Sequence, residues 1–374
     1  MMVTTHRVIF ESATSLPDLP DHSVDLVVTS PPYPMVAMWD EIFALQEPGI
    51  QSSLEANDGV GAFSSMHAVL DEVWRESARV LRPGGFVCIN IGDATRTVGG
   101  DFRLYANHAR ITRAMERVGM HALPAIVWRK QTNAPTKFMG SGMLPSGAYV
   151  TLEHEYILVF RNGGKRSFAS GERDHRRRSA FFWEERNQWF SDLWDLKGVR
   201  QRLQTDASRV RSGAFPFELA FRLINMYSLH GDTVMDPFVG TGTTMVAAVS
   251  SARNSIGVEI DARFAPTIES TLTTAIPTLN ERQQQRYDHH NDFVRRYETE
   301  RGSRPGYTNL PHNVPVMTKQ ETDLELLMVD RIERTAPCIY HAAHRRLEPG
   351  GGVIHTVGIP SAPAGEINPS VIGE

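Results

Sequence analysis

The sequence predicts an α/β protein built on a mostly parallel sheet with helices on both faces. Short apolar segments of strand length, such as residues 24–28 and 86–91, alternate with helical patterns such as residues 64–81. This alternation is typical of parallel sheets, whose strands are connected by helices. At 374 residues, the chain is long enough for one large domain with a smaller inserted or appended part.

The composition fits an ordinary globular protein, because 41% of the residues are hydrophobic and 22% are charged. No apolar run is long enough to span a membrane, and no charged and then apolar leader opens the chain. We therefore expect a cytoplasmic protein without membrane contact. The two cysteines, Cys88 and Cys338, lie far apart, and the 14 histidines show no HExxH spacing. These patterns predict neither a disulfide framework nor a metal site.

Hydrophobic periodicity and breaker residues predict the elements in chain order. In the first half we expect strands at residues 7–11, 24–28, 86–91, 122–128 and 155–161, and helices at residues 64–81 and 105–118. Residues 34–62 read as loop because prolines and glycines interrupt them, and residues 131–146 look mobile. The strand at 155–161 is expected to form a hairpin with 122–128.

The second half continues the alternation of helices and strands. We expect helices at residues 217–229 and 243–250 and after Asp261, and strands at residues 233–235 and 255–258. A polar helical stretch then runs to about residue 301, and the remainder looks loop-rich, with a Gly/Pro-rich end that is a candidate for disorder.

The stretch TSPPY at residues 29–33 follows a buried apolar strand. Its two prolines stop the strand, since neither has an N–H to donate and both fix φ near −65°. The carbonyls of Ser30 and Pro31 are thereby left beside a hydroxyl and the ring of Tyr33. This arrangement suits binding of the exocyclic amino group of a flat base. Taken alone, the motif is better explained as an ordinary strand terminator.

A second motif, DPFVGTGTT at residues 236–244, lies between a predicted strand and a helix. Gly240 and Gly242 permit positive φ and a close approach of backbone to ligand, and the helix N-terminus offers free amide donors. Glu259 ends the next strand, where a carboxylate can bind both hydroxyls of a ribose. The pattern predicts an adenosine site. A nicotinamide dinucleotide or a purely structural turn are the alternatives, although Met245 replaces the third glycine of the dinucleotide fingerprint.

The charge distribution points to a polyanionic partner, although the net charge of the chain is only −4. Residues 161–211 hold 13 Lys and Arg against 7 Asp and Glu, a local net charge of +6, so the rest of the chain carries −10. A basic segment on an acidic body is a common feature of nucleic-acid-binding proteins. An unevenly charged solvated surface is the simpler interpretation.

With both motifs in view, the chain resembles the amino-methylating DNA methyltransferases, which transfer a methyl group from S-adenosylmethionine to N4 of cytosine or N6 of adenine. The order resembles that of permuted members, whose catalytic motif precedes the cofactor motif. Supporting matches are LRPGG at 81–85, HEYILVFRNG at 154–163, GAFPFELAFRLI at 213–224 and IGVEID at 256–261. The resemblance spans residues 7–275 and implies a Rossmann-like fold with an inserted DNA-recognition region.

The resemblance also implies a domain division and an open question at the end of the chain. Residues 1–130 form the catalytic half, residues 131–212 a hairpin strand with the target-recognition region, and residues 213–276 the cofactor half. Residues 277–374 form a polar helical and loop-rich extension of unknown role. Cys338 follows a proline, as does the nucleophile of the cytosine C5 enzymes, but its position far behind the cofactor motif favours a structural role.

In the implied mechanism the target base leaves the duplex and its methyl group arrives by direct transfer, without a metal or a covalent enzyme intermediate. The catalytic motif comprises Ser30, Pro31, Pro32 and Tyr33. The Ser30 Oγ and the Pro31 carbonyl accept the two amino hydrogens, and Tyr33 stacks on the flipped base. Residues predicted to contact the cofactor are Asp236, Phe238, Gly240, Gly242, Thr243, Glu259, Glu11, Phe215 and Pro216.

Four of these residues have more specific predicted contacts. Glu11 stands in Phe10-Glu11-Ser12, where the family often has Gly-Asp-Ser, so its contact with the adenine depends on glutamate replacing aspartate. Phe238 either flanks the cofactor or packs under its loop. Phe215 and Pro216 open the helix before the cofactor loop and are expected to line the pocket for the methionine part.

We expect double-stranded DNA to contact the basic segment, chiefly through Lys165, Arg166, Arg176, Arg177 and Arg178. The aromatic residues between positions 181 and 194 either contact bases or form a small local core, and residues 132–147 are a candidate loop that closes over DNA. A cognate restriction endonuclease acting separately is compatible with this assignment.

The residue before Pro-Pro-Tyr bears on the choice of base. Serine there is associated in this family with N4-cytosine, and aspartate or asparagine with N6-adenine, so Ser30 favours N4-cytosine with N6-adenine as the alternative. RNA or a protein amide is a more remote substrate. A catalytically silent DNA-binding subunit is the rival from another class, and the intact motifs argue against it.

Overall fold

A computed structural model describes residues 2–130, 139–197 and 215–348 of the chain. Its strands are β1 Met2–Ile9, β2 Val24–Thr29, β3 Leu81–Ile91, β4 Ala94–Val98, β5 Asp101–Tyr105, β6 Met120–Arg129, β7 Met139–Gly140, β8 Ala148–Tyr149, β9 His154–Asn162, β10 Leu193–Asp195, β11 Thr233–Asp236, β12 Asn254–Val258, β13 Tyr307–Asn309, β14 Val314–Val316, β15 Leu327–Ala336 and β16 Ile339–Arg346. Its helices are α1 Asp40–Gln46, α2 Gly49–Glu55, α3 Gly59–Val80, α4 Asn107–Arg117, α5 Ser170–Arg178, α6 Trp183–Trp189, α7 Phe217–Tyr227, α8 Thr243–Ser250, α9 Ala265–Thr274 and α10 Ile276–Arg301.

Ten of the strands form one sheet in the order β10-β6-β9-β3-β2-β11-β12-β1-β16-β15. The central strands β3, β2, β11, β12 and β1 run parallel to one another. Strands β9, β16 and β15 are bound by antiparallel pairing. The predicted α/β class with a mostly parallel sheet is confirmed. The predicted hairpin is also present, since β6 pairs antiparallel with β9.

Strand β2 shows why the central sheet needs helices on both faces. All six of its residues are buried. Leu26 and Val28 pack into the same core as Phe221 of α7, whereas Val27 packs into the core that contains Trp74 of α3. Because both faces of the strand are apolar and covered, its position and register are fixed, and the residues that follow it are held in a defined place.

The prediction that residues 34–62 form a loop is wrong, because this stretch contains α1, α2 and the start of α3. The prolines and glycines mark helix starts rather than irregular backbone. Pro48 lies immediately before α2, and Gly59 opens α3, where the Asp58 carboxylate accepts a hydrogen bond from the Gly61 amide at 2.8 Å. Both are normal positions for these residue types at helix N-termini.

The prediction that the chain is loop-rich after residue 301 is also wrong for the part that the structure describes. Strands β15 and β16 form a hairpin, and β16 pairs antiparallel with β1. The outermost strand, β15, keeps its charged residues exposed, so its sequence lacks the apolar run of a central strand. Residues 349–374 lie outside the described residues.

The C-terminal extension, whose role the sequence left open, contributes to the fold in two ways. Its strand β16 enlarges the central sheet, and α10 holds the segment around α6. Arg286 pairs with Glu185 at 2.6 Å, and the His290 ring stacks on the Phe182 ring with centroids 3.9 Å apart. None of the described helices is long and apolar enough to cross a membrane.

Candidate active site

The carboxyl ends of four parallel strands meet at one edge of the sheet, here called the carboxyl edge. Glu11 lies beyond β1, Ser30 follows β2, Asp236 ends β11 and Glu259 follows β12. A cavity opens at this edge, and it is lined by Glu11, Ser12, Ala13, Ser30, Pro32, Trp39, Ile42, Phe43, Gln46, Val69, Leu70, Val73, Phe215, Asp236, Pro237, Phe238, Val239, Gly240, Thr241, Thr243, Val258, Glu259, Ile260 and Phe264. The edge of an open parallel sheet is where ligands bind in this fold class.

Asp236 joins the two predicted motifs. Its carboxylate accepts hydrogen bonds from Thr29 Oγ1 at 2.6 Å, from Thr244 Oγ1 at 2.5 Å and from the Phe238 amide at 3.0 Å. Burial raises the pKa of this carboxyl to about 6, against the opposing effect of these hydrogen bonds. Asp236 lines the cavity, but its bonds within the protein show that it holds the end of β2 against the loop that follows β11.

Glu259 is a second carboxylate that lines the cavity, and it is half-buried. Oε2 accepts the Gly240 amide at 3.0 Å, and Oε1 accepts the Asp261 amide at 3.1 Å. Burial raises the pKa of Glu259, and the two amide hydrogen bonds oppose this shift. A carboxylate has about four acceptor positions, so both oxygens of Glu259 can still accept hydrogens from a ligand.

The two glycines of the second motif are required by their backbone angles. Gly240 has φ of +53° and Gly242 has φ of +94°, a region that residues with a Cβ rarely occupy. Gly242 is the residue immediately before α8, so the turn directs the first amides of that helix toward the loop. Gly240 and Thr243 line the cavity, whereas Gly242 is not among its lining residues.

Three further predicted cofactor residues line the cavity and one does not. Glu11 is exposed at the mouth, and Phe215 is buried in the wall. Phe238 combines its two predicted roles, because it lines the cavity and also contacts Trp74 edge to face at a centroid distance of 6.3 Å. Pro216 precedes α7 and is buried outside the lining.

The catalytic motif forms a hydrogen-bonded network behind Ser30. Ser30 Oγ donates to the Tyr33 hydroxyl at 3.2 Å, and that hydroxyl donates to Glu155 Oε2 at 2.9 Å. Burial raises the pKa of Tyr33 well above its ordinary value, and the negative charge of Glu155 raises it further. The tyrosine therefore remains a neutral donor, and its ring is held in one orientation. Ser30 and Pro32 line the cavity.

Three members of this network, Asn90, Lys130 and Glu155, were not predicted from the sequence. The Asn90 amide nitrogen donates to the Tyr33 hydroxyl and to Glu155 Oε2, both at 2.8 Å, and Lys130 pairs with Glu155 Oε1 at 2.7 Å. A signal for Asn90 existed, since it is a single amide inside the apolar strand at residues 86–91. Residues Trp39, Ile42 and Phe43 of the cavity wall were missed because their segment was read as loop.

The five basic residues predicted to contact DNA do not lie at the carboxyl edge. Arg166 pairs with Asp232 at 2.7 Å, and Asp232 lies immediately before β11. Arg166 also lies 3.5 Å from Asp25, the second residue of β2. The other end of the sheet, at which these two strands start, is here called the amino edge. Lys165 precedes Arg166 in the chain and is exposed.

Arginines 176, 177 and 178 belong to α5, which lies at the same amino edge. Next to them, His175 bonds the carbonyl of His230 just before β11. Arg176 lies over the Phe168 ring, Arg177 faces Asp323 at 3.7 Å, and the Arg178 carbonyl accepts the Glu325 amide. DNA contact by the five residues stays a prediction, and their placement away from the cavity argues against it.

Three of the six aromatic residues between positions 181 and 194 are buried, whereas Trp183 and Phe190 are exposed. Phe182, Trp189 and Trp194 are buried, and the two tryptophans belong to the core on the α7 face of the sheet. The Trp194 indole donates to the Trp189 carbonyl at 3.1 Å. The local-core interpretation therefore holds for these three. Positions 198–211 of the segment lie outside the described residues.

Two hairpins extend from the carboxyl edge beside the network. The hairpin β4–β5 follows β3, and the segment with β7–β8 connects β6 to β9. They contact each other through Phe102 and Tyr149, whose rings stack with centroids 4.7 Å apart. Met143, Leu144 and Val150 are exposed.

The β4–β5 hairpin was not predicted from the sequence, although its Gly99-Gly100 turn is a hairpin signal. Of the candidate loop at 132–147, residues 132–138 lie outside the described residues.

The geometry agrees with three comparisons to known proteins. Residues 24–270 match the family described as DNA methylase, N6_N4_Mtase. The chain is 52% identical over 328 residues to the type II methyltransferase M.MthZI of Methanothermobacter thermautotrophicus, covering 87% of this chain and 91% of that protein. It is 46% identical over 282 residues to M.MjaI of Methanocaldococcus jannaschii, covering 72% and 92%.

A solved structure agrees as well. The DNA modification methylase TTHA0409 of Thermus thermophilus, described as putative and complexed with S-adenosyl-L-methionine, is 32% identical, with a TM-score of 0.56 over 73% of this chain and 96% of that chain.

The matched domain and these relatives define the class of the protein as an amino-group methyltransferase acting on DNA. The chain belongs to the N6/N4 DNA methylase family and is an enzyme of that family. The prediction of S-adenosylmethionine is confirmed as the cofactor of the family. The cavity fits such a ligand, because it combines the half-buried carboxylate of Glu259, the close backbone at Gly240 and an apolar wall.

Proposed function

We propose that this chain is a type II DNA methyltransferase that methylates N4 of cytosine in double-stranded DNA. The main support for the proposal is the pair of hydrogen bonds that Asp236 accepts from Thr29 and Thr244. They hold the end of the strand before Ser30 against the glycine loop. A base amino group at Ser30 and a ligand at Glu259 then share one cavity. Fixing two reactants in this way removes much of the entropic barrier to their reaction.

In this proposal Glu259 and the loop at residues 236–244 hold S-adenosylmethionine, which supplies an electrophilic methyl group. Glu259 accepts the ribose hydroxyls, Glu11 lies near the adenine, and Phe215 borders the methionine part. Asp236 acts indirectly, by holding the two motifs together. Pro216 and Gly242 act through the backbone they shape, since neither lines the cavity.

At the base, Ser30 Oγ and the Pro31 carbonyl accept the amino hydrogens, and Pro32 with Tyr33 shapes the base pocket. Because the Ser30 hydroxyl already donates its hydrogen bond to Tyr33, the Ser30 oxygen acts as an acceptor toward the base. An amino nitrogen that donates both hydrogens has its lone pair free for the methyl carbon. The intact network argues against a catalytically silent DNA-binding subunit.

The choice of cytosine depends on Ser30, the residue before Pro-Pro-Tyr. Both candidate bases present the same kind of amino group, so the described contacts favour cytosine only through the family association of serine. The order in which the catalytic motif precedes the cofactor motif, a separately acting restriction endonuclease and a cytoplasmic location are parts of the same proposal.

We place the duplex across the carboxyl edge. Extrusion of the base costs a few kcal/mol, and the hairpins β4–β5 and β7–β8 extend beside the cavity with exposed apolar side chains that can contact the opened duplex. Lys130 lies at this edge and pairs with Glu155. The recognition region at residues 131–212 would then contribute through its β7–β8 part.

The experiment is to incubate unmethylated genomic DNA with the protein and deuterated-methyl S-adenosylmethionine, digest it to nucleosides and determine their masses. We expect N4-methyldeoxycytidine carrying the labelled methyl group. N6-methyldeoxyadenosine alone would overturn the choice of base, and 5-methyldeoxycytidine would overturn the mechanism. Absence of any labelled nucleoside, with cofactor binding intact, would overturn the proposed function.

A further inference from the structure

We propose that Glu155 is the positioning residue of the reaction: through Tyr33 it fixes Ser30 as a hydrogen-bond acceptor and takes up the proton released when the amino group is methylated. This inference rests on the proposed function. Glu155 is the second residue of β9 and lies almost fully inside the protein, with 8% of its surface exposed. It is connected to the base pocket by two hydroxyl groups.

The direction of the hydrogen bonds follows from the chemistry of a carboxylate, which accepts but never donates when ionised. The Tyr33 hydroxyl must therefore donate to Glu155 Oε2, to which it lies at 2.9 Å. Its oxygen is then left to accept, and Ser30 Oγ donates to it at 3.2 Å. With its one proton directed to Tyr33, Ser30 can only accept a hydrogen bond from the amino group, and its oxygen also accepts a long hydrogen bond from the Asn90 amide nitrogen at 3.5 Å.

Asn90 has the orientation that a carboxylate at Glu155 requires. Its amide nitrogen donates to both Tyr33 and Glu155, whereas its buried carbonyl oxygen Oδ1 has no hydrogen-bond partner within the described residues. An unpaired buried acceptor costs about 1–3 kcal/mol. The amide keeps this orientation because the opposite one would direct Oδ1 at the carboxylate.

The same chain of groups provides an exit for a proton. The amino nitrogen uses its lone pair to bond the methyl carbon, and the electrons of the C–S bond stay on sulfur, so the product nitrogen carries a positive charge and one hydrogen too many. That proton passes to Ser30 Oγ, the Ser30 proton passes to Tyr33, and the Tyr33 proton passes to Glu155 Oε2. One proton enters at Ser30 and one ends on Glu155.

Lys130 connects Glu155 to the solvent-exposed surface. It pairs with Glu155 Oε1 at 2.7 Å, and 40% of its side chain is exposed. It thus compensates the buried negative charge before the reaction. It also marks the side from which the proton reaches solvent and the carboxylate is restored for the next turnover.

The test compares Glu155→Gln with Glu153→Gln as the matched control, because Glu153 lies two residues earlier on the same segment and is exposed. Glutamine keeps the size of the side chain but can donate toward Tyr33 and cannot take up the proton. We expect the single-turnover methylation rate of Glu155→Gln to fall roughly 10²-fold, as for a lost acid–base group. S-Adenosylmethionine and DNA affinities, measured by calorimetry and fluorescence anisotropy, should stay within twofold.

A double-mutant cycle with Tyr33→Phe separates the relay from a general structural effect. If Glu155 acts through the Tyr33 hydroxyl, Tyr33→Phe alone should slow transfer similarly, and the double variant should be little slower than either single variant. Additive losses would overturn the relay, and a wild-type rate for Glu155→Gln would overturn the whole inference. A wild-type protein that methylates no DNA would instead remove the proposed function beneath it.

Discussion

The two edges of the parallel sheet carry buried acids in different chemical environments. At the amino edge, Asp25 pairs with Arg82 at 2.8 Å and Asp232 pairs with Arg166 at 2.7 Å. At the carboxyl edge, Asp236 and Glu259 accept hydrogen bonds from amides and hydroxyls, and no ion pair to either is present among the described residues. Burial raises the pKa of Asp236, of Glu259 and also of Asp25 at the amino edge, so the two edges differ in their bonding partners rather than in this shift.

This contrast separates carboxylates that stabilise the fold from carboxylates that are available to bind a ligand. A carboxylate neutralised by arginine has its acceptor positions filled by the protein. A carboxylate held only by amides and hydroxyls, in a concave edge, keeps acceptor positions that a ligand can fill. We therefore assign the chemistry to the carboxyl edge and a stabilising role to the arginines of the amino edge.

The largest effect is expected at Ser30, the proposed acceptor for the base amino group. Ser30→Ala should lower the methyl-transfer rate by roughly 10²–10³-fold, the loss typical of removing one preorganised polar group, with cofactor affinity unchanged. Ser23→Ala is the matched control, since Ser23 lies at the amino end of the same strand and donates to the Pro20 carbonyl. Single-turnover assays measure both. Equal losses in the two variants would contradict the assignment.

A second prediction concerns the pH dependence of stability at Asp236. Its pKa is about 6 in the folded protein against an ordinary value of 3.8, so the folded state holds this proton more tightly than the unfolded state. The resulting stabilisation is fully present below pH 3.8 and is lost as the pH rises through 6. The loss is roughly 3 kcal/mol.

Chemical denaturation of wild type and Asp236→Asn between pH 4 and pH 7 checks this prediction. Asparagine does not titrate, so the difference in unfolding free energy between the two proteins should change with pH in the direction that favours the variant at higher pH. A difference that is constant over this range would show that Asp236 titrates normally.

The third prediction concerns Glu259. Glu259→Gln should weaken S-adenosylmethionine binding roughly 10-fold to 100-fold, because a hydrogen bond to a charged acceptor is worth about 1.5–3 kcal/mol and the variant amide presents one acceptor in place of two. Calorimetry measures the affinity, and Arg166→Met serves as a control from the opposite edge. An unchanged affinity in Glu259→Gln would remove Glu259 from the cofactor site.

The smallest effect on activity, and a clear effect on stability, is expected at Arg166. Arg166→Met leaves Asp232 buried without its partner, which should cost roughly 2 kcal/mol of unfolding free energy, less than a fully buried pair because the arginine is partly exposed. DNA affinity and methyl transfer of the folded protein should stay within twofold. A loss of DNA affinity with unchanged stability would restore the sequence-based assignment of Arg166.

Elements and site residues could be predicted from the sequence where the local pattern agrees with the tertiary structure. The alternation of strands and helices, the helix at Thr243–Ser250 and the pairing of β6 with β9 follow from periodicity, breaker residues and apolar runs. The cavity residues at Ser30 and Glu259 could be predicted because strands of known direction bring their carboxyl ends to one edge.

The rest depends on long-range contacts that local pattern does not contain. Which arginines are neutralised depends on acids more than sixty residues away, as for Arg166 and Asp232. The network at Ser30 joins Asn90 and Glu155 from different strands, and neither stands in a motif that the residues alone define. The edge hairpin β15–β16 escaped prediction because its outer strand has few apolar residues to alternate.

Hydrogen–deuterium exchange of the DNA complex tests most directly which edge carries the function. The protein is measured alone, with S-adenosylhomocysteine, and with S-adenosylhomocysteine and DNA. We predict that DNA adds protection to the amides of the hairpins β4–β5 and β7–β8 and around Ser30, with no change in α5. Protection confined to α5 and residues 165–166, with the carboxyl edge unchanged, would contradict it.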